Sequence, residues 1–129
     1  MIQNWILPPD IEAGGLRYSF TFISHGQLRM KVTGCGMIPG KEERQPWLRY
    51  RNRISELFIE EGISRIGAHA FAGYGWLERV WLPGSMQELG HLAFSCCPRL
   101  QEITYAGSIA QLENVLTANS LPEQFYRKE

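Results

Sequence analysis

The sequence predicts a short parallel solenoid, closed by a β-hairpin at its N-terminal end and by a helix at its C-terminal end. Three observations predict it. The stretch IGAHAFAGYGWLERVWLP at 66–83 is answered 23 residues later by LGHLAFSCCPRLQEITYA at 89–106. At that offset Gly67 matches Gly90, Ala70 matches Ala93, Phe71 matches Phe94 and Leu77 matches Leu100. Apolar character is also kept at Ile63/Met86, Ile66/Leu89, Val80/Ile103 and Leu82/Tyr105. Each copy carries the alternating run of a strand with one buried face, and units of this kind bury their apolar edges by stacking on one another.

The elements follow in order along the chain. The opening MIQNWILPPDIEAGG lacks a basic start and a sustained apolar run, and it carries Pro8, Pro9 and Asp10. It does not read as a secretory signal, so the expectation is a cytoplasmic protein. LRYSFTF at 16–22 places Leu16, Tyr18, Phe20 and Phe22 on one face of a strand, and QLRMKV at 27–32 does the same with Leu28, Met30 and Val32. The polar SHGQ with Gly26 makes these two runs a hairpin. GCGMIPGKEERQP at 34–46 is rich in Gly and Pro and reads as a loop. Its Gly34–Gly36 pair lacks the strand-to-helix setting and third glycine of a phosphate-binding loop, and reads as a turn.

Residues 16–53 thus form a cap and lead-in, and the repeats occupy 54–107, since Ile54, Leu57 and Ile59 fall in register with Leu77, Val80 and Leu82. After Ser108, a plausible N-cap, Ile109, Leu112, Val115 and Leu116 are spaced as on a helix, which predicts a helical cap over 108–118. Ile109 and Leu112 also continue the Ile63 and Ile66 columns, and the pattern stops at Glu113, where a glycine is due. The tail LPEQFYRKE reads as loosely held. At 129 residues the whole, 1–129, is most simply one domain.

A period of 23 falls within the span of roughly 20–29 residues of leucine-rich repeats. EGISRIGAHAFAGYGWLERVWLP at 61–83 strongly resembles the BspA-type leucine-rich repeat of bacterial proteins, whose usual form is close to EGVTSIG-x-x-AF-x-x-C-x-x-L-x-x-V-x-LP. GQLRMKVTGCGMIPG and PWLRYRNRI are similar to the lead-in of such repeats, and ITYAGSIAQLENVL to their common ending. The resemblance spans about residues 16 to 118 and implies a solenoid whose strand face is the usual binding surface. It also makes Trp47 a structural anchor. Members are frequently long, secreted surface proteins, whereas this chain is short. The family cysteine stands here as Cys97, but one turn earlier the position holds Tyr74.

Composition sets the bounds on function. Thirteen Lys+Arg balance thirteen Asp+Glu, so no net basic footprint for nucleic acid or an anionic membrane surface exists. No apolar run approaches the roughly 18 residues that cross a bilayer. Three cysteines, Cys35, Cys96 and Cys97, make no disulfide framework, and the zinc spacings C-x2-C and H-x3-H are absent. Neither metal nor cofactor is expected.

Two chemical readings compete with a binding scaffold. Cys97, or Cys96, with His69 or His91 would be a cysteine nucleophile and its base, though no orienting third residue accompanies them. KEERQPWLRYRNR at 41–53 interleaves Lys41, Arg44, Arg49, Arg51 and Arg53 with Trp47 and Tyr50, a pattern suited to single-stranded nucleic acid. Glu42, Glu43, Glu56, Glu60 and Glu61 close by weigh against it.

The outward strand positions say more. The offset that stacks the core also stacks Phe58, Trp81 and Thr104 in one outer column and Glu56, Arg79 and Glu102 in the next, an alternating-charge ladder. Two adjacent aromatics on a nominally wet face call for a protein partner, a second copy of the chain, or cover by the hairpin. The sequence therefore predicts a non-catalytic protein-interaction module presenting its strand face.

Overall fold

Leu57, Val80 and Ile103 can share one interior only if their strands run parallel and in register, and they do. The computed structural model describes residues 6–116 and 121. It holds β1 (Ile11–Ala13), β2 (Leu16–Phe22), β3 (Leu28–Gly34), β4 (Gly36–Ile38), a 3-10 helix (Leu48–Arg53), β5 (Ile54–Ile59), β6 (Ile63–Ile66), β7 (Arg79–Leu82), β8 (Glu88–Leu89), β9 (Glu102–Tyr105) and α1 (Ile109–Val115). One sheet is ordered β1-β2-β3-β5-β7-β9 and a second β4-β6-β8. The β1–β2 and β2–β3 pairs are antiparallel, and every later pair in either sheet is parallel.

Each turn of the solenoid gives one strand to each sheet: β3 with β4, β5 with β6, β7 with β8. The final strand β9 is followed by α1 instead. The fold is thus a stacked solenoid of about three turns with a small C-terminal helix.

Three features depart from the sequence-based expectation. The Gly- and Pro-rich stretch expected as a loop contains β4, which pairs with β6 through Ile38↔Ile66. Strand β3, expected only as part of a cap, is the first parallel strand of the stack. Its Met30 pairs with Leu57, 27 residues on, whereas Leu57 pairs with Val80 at the repeat's own interval of 23. The first turn is therefore a longer copy of the others. Phe22, placed with the buried face, is 43% exposed at the hairpin end, with the Arg53 guanidinium 5.9 Å from its ring. Leu16, Tyr18, Phe20, Leu28, Met30 and Val32 are buried as the alternation requires.

Backbone-to-backbone approach fixes the stacking. Gly40, Gly67 and Gly90 lie against one another in successive turns. Gly67 N–H donates to Ile38 O and Gly90 N–H to Ile66 O, each at 2.8 Å. A Cβ on Gly90 would stand 2.6 Å from the Ala68 nitrogen, and one on Gly67 would strike Gly40. The same closeness continues along the turn, where His69, Phe71 and Gly73 N–H groups donate to His91, Ala93 and Ser95 carbonyls.

Inside, this spacing lines up rings. Tyr18 meets Trp47 at 5.0 Å, Trp47 meets Phe71 at 5.5 Å, and Phe71 stacks on Phe94 at 5.5 Å. Trp47 is fully buried, and its indole N–H donates to Tyr74 Oη at 2.8 Å. Burying an indole leaves its N–H in need of a partner. Tyr74, the residue in the family's cysteine position, supplies it.

The C-terminal cap is built as its sequence signals. Ser108 accepts from Gln111 N–H, and the Gln111 side chain accepts from Ser108 N–H, a reciprocal capping box. Of the two columns expected to continue through Ile109 and Leu112, the first falls on a side chain outside the described residues, and the second ends before Leu112. Leu116, one position past α1, instead bridges to Leu89. The expected end of the cap at 118 and all of the tail except Leu121 lie outside the described residues.

Phe71 and Phe94 occupy equivalent, fully buried places. Phe71→Ala or Phe94→Ala should each cost about 3–5 kcal/mol in chemical denaturation, the usual range for a core Phe. Unchanged midpoints in both would overturn this packing. Gly73 has φ +79° and its counterpart one turn later, Cys96, has φ +55°. A residue with a Cβ is strained there, so Cys96→Gly should stabilise by about 0.5–1 kcal/mol. That is a rise of about 2–4 °C in melting temperature, and a fall would show that the cysteine side chain matters more than the backbone.

Candidate functional site

Because β5, β7 and β9 are in register, residues between the core positions stack on the outer face of the six-stranded sheet. Phe58 pairs with Trp81, and Trp81 with Thr104. The two rings stack at 5.4 Å with 15° between their planes. Both are half-buried, and Thr104 is exposed.

Beside them runs the charge ladder. Arg79 Nε lies 3.3 Å from a Glu102 carboxylate oxygen, and Arg79 Nη1 lies 3.5 Å from Glu56. The ladder has one more rung than the sequence disclosed. Arg29 on β3 pairs with Glu56 in the sheet and donates to Glu56 Oε1 from both Nε at 2.9 Å and Nη2 at 2.8 Å. Its guanidinium also sits 6.0 Å from the Phe58 ring and 5.5 Å from the Trp81 ring. Arg29, Glu56, Arg79 and Glu102 thus alternate in sign across four neighbouring strands.

Exposure divides the ladder's roles. The Glu56 side chain is only 10% exposed and holds two arginines, whereas that of Glu102 is 57% exposed and pairs with one. Glu56 aims Arg29 and Arg79, and Glu102 faces water at the end of the row. Sequence reasoning missed Arg29. Its alternation with Met30 in QLRMKV put it on an outer face, but the hairpin's 27-residue register against β5 could not be read.

The cysteine–histidine pair is not assembled as a nucleophilic site. Cys97 is 1% exposed, and its thiol is directed at Phe71 O at 3.2 Å and Ser95 O at 3.6 Å rather than at a base. Burial pushes its pKa up from 9.0 to about 11, against hydrogen bonds that pull the other way. An activated thiol needs the opposite shift. His69 and His91 stack edge-on at 5.9 Å on the return arms. Cys96 and Cys35 are exposed. Among the described residues no group of three or more His, Cys, Asp or Glu is placed to hold a metal.

The 41–53 segment loses Trp47 as a stacking surface for the same reason that it folds. Trp47 is buried in the ring stack of the core, and Tyr50 packs edge-on against Phe20 at 5.3 Å. Arg53 Nε donates to Gly26 O at 3.0 Å, tying the 3-10 helix to the hairpin turn. Lys41, Arg44, Arg49 and Arg51 are exposed, and the ring left between them is the half-buried Tyr50, with the Arg49 guanidinium 5.6 Å from its centroid.

Thiol labelling tests this arrangement directly. In the native protein at neutral pH, Cys35 and Cys96 should react readily and Cys97 only after unfolding. A raised pKa keeps the neutral thiol until the pH nears about 11, so reactivity of Cys97 should climb on the alkaline side. Rapid labelling of Cys97 at pH 7, read by mass spectrometry, would refute the assignment.

Comparison with known proteins bears on the fold and the family. The chain superposes on a leucine-rich repeat protein from Eubacterium ventriosum ATCC 27560 with a TM-score of 0.60 and 22% identity, over 80% of this chain and 25% of that one. It also matches a leucine-rich cell surface protein from Faecalibacterium prausnitzii A2-165, with a TM-score of 0.41 and 19% identity over 87% of this chain and 38% of that one. The chain thus spans about a quarter of the length of the first and under half of the second. No curated protein matches the sequence. The model for the BspA type leucine-rich repeat region matches residues 48–122, more than half of the 129. The chain belongs to the BspA type leucine-rich repeat family.

Proposed function

We propose that this chain is a non-catalytic protein-interaction module whose contact surface is the outer face of β5, β7 and β9. The observation that carries this reading is the Phe58–Trp81 stack, half-open to water beside the Arg29–Glu56–Arg79 row, with the Arg29 guanidinium over its rings. Stacked rings beside arginine are the residue types that dominate binding energy at protein interfaces. The family supports an interaction role in general terms. The centre of the surface is Phe58, Arg79 and Trp81, with Glu102 and Thr104 at its edge and Glu56 beneath, holding the arginines in place.

The face is also preorganised. Arg29 and Arg79 are each fixed by Glu56, so a partner would not have to order them on binding, a cost that weakens many interfaces. Cover by the hairpin is partial: Arg29 from β3 lies over the rings without closing them off.

Trp81→Ser tests the proposal, with Arg65→Ser on the second sheet as control. Circular dichroism should show both variants folded. Light scattering and capture from native lysate should show that Trp81→Ser loses the associations of the wild type, whether with another protein or a second copy, while Arg65→Ser keeps them. Identical behaviour of wild type and Trp81→Ser would remove this face from consideration.

A further inference from the structure

Among the described residues the strand face is nearly symmetric about Trp81, with one half of the symmetry unfilled. On one side, two strands away in the order β3-β5-β7, stands Arg29. It is bound to Glu56 on the strand between and laid toward the Trp81 ring at 5.5 Å. On the other side the intermediate strand is β9. It carries Glu102 where β5 carries Glu56, and Thr104 where β5 carries Phe58. Among the described residues no strand occupies the next place in the sheet, two strands from Trp81, because the order ends at β9.

Charge and shape at this edge ask for the same group. The ladder Arg29–Glu56–Arg79–Glu102 ends on an acid that is 57% exposed, so the next rung that satisfies it is a cation. Thr104 carries no ring, so β9 gives the Trp81 ring none of the aromatic cover that Phe58 on β5 gives it. A planar cation suits both, since guanidinium pairs with a carboxylate and lies over an indole at once.

The geometry points to a receptor for an arginine side chain, formed by Trp81, Glu102 and Thr104. The arginine is carried by an extended segment of a partner protein that adds to the edge of β9 with which no described strand pairs. In that position it repeats on the open side what Arg29 does on the closed side. Main-chain pairing with β9 supplies affinity, and the arginine supplies specificity, the division of labour usual when a strand is added to a sheet edge. This rests on the strand face being the contact surface, and it names what that face selects.

The test uses the full chain and a fluorescein-labelled nine-residue peptide of alternating Thr and Val with a central Arg. A citrulline counterpart keeps the shape and removes the charge. Anisotropy titrations at low salt should show the arginine peptide binding about tenfold tighter or better, the scale of a charge-assisted contact over a ring. Glu102→Gln and Trp81→Ser should each erase that preference, and Arg65→Ser should not. Equal affinity of the two peptides, including no binding of either, overturns the inference, as does a preference that survives Glu102→Gln.

Its failure and that of the broader reading are separable. Association lost in Trp81→Ser but indifferent to Glu102→Gln, with no arginine preference, leaves the face as a contact surface and discards the receptor. An arginine preference that depends on Glu102, with association indifferent to Trp81→Ser, does the reverse.

Discussion

The structure depends on how closely one turn's backbone lies on the next. Gly40, Gly67 and Gly90 sit where any Cβ would strike the neighbouring chain, and their absence of side chains lets the return arms hydrogen-bond directly. With that approach fixed, residues one period apart are a strand spacing apart, about 4.8 Å. Everything periodic follows from it. Inside, Trp47, Phe71 and Phe94 form a ring stack; outside, Phe58 and Trp81 form another, with alternating charges alongside. The interior stack and the surface face are two readings of one spacing.

That shared origin explains which parts of the molecule were legible in the sequence. A constraint that recurs every 23 residues writes itself into the sequence each time, so Gly67/Gly90, Phe71/Phe94 and the outward pair Phe58/Trp81 could be found by offset alone. Ser108 was legible for a local reason, since a capping residue and its Gln111 partner lie three positions apart. What occurs once left no such trace. Strand β4 was hidden because Gly36 and Pro39 signal a turn by local preference, while its pairing with β6 is a tertiary fact. Arg29 was hidden because the first turn is longer, and a register shift between Leu28 and Arg29 separates it further from the repeat's count.

Two tryptophans, Trp47 and Trp81, show how alike opposite roles can look in a sequence. Trp47 sits among arginines and turns inward, satisfied by Tyr74. Trp81 follows a valine in a run of apolar residues and turns outward. Local composition pointed the wrong way for Trp47, and the family resemblance marked it as an anchor, whereas strand alternation placed Trp81 outside. The same holds for Cys97: beside Cys96 it looks like a pair of thiols, but the strained, positive-φ backbone at Cys96 turns one outward and leaves the other in the core.

The two ends of the main sheet are built differently. At the N-terminal end the chain doubles back, so β1 and β2 run antiparallel beside β3 and stop the parallel stack. At the other end β9 keeps the parallel direction, and Leu116, just past the helix, bridges to Leu89 on the second sheet. The molecule therefore has a direction, and length is its free variable. Whole 23-residue units can be gained or lost by duplication between β7 and β9 without asking for any contact of a new kind. Each added unit would lengthen the charged and aromatic face by one rung and leave both ends as they are.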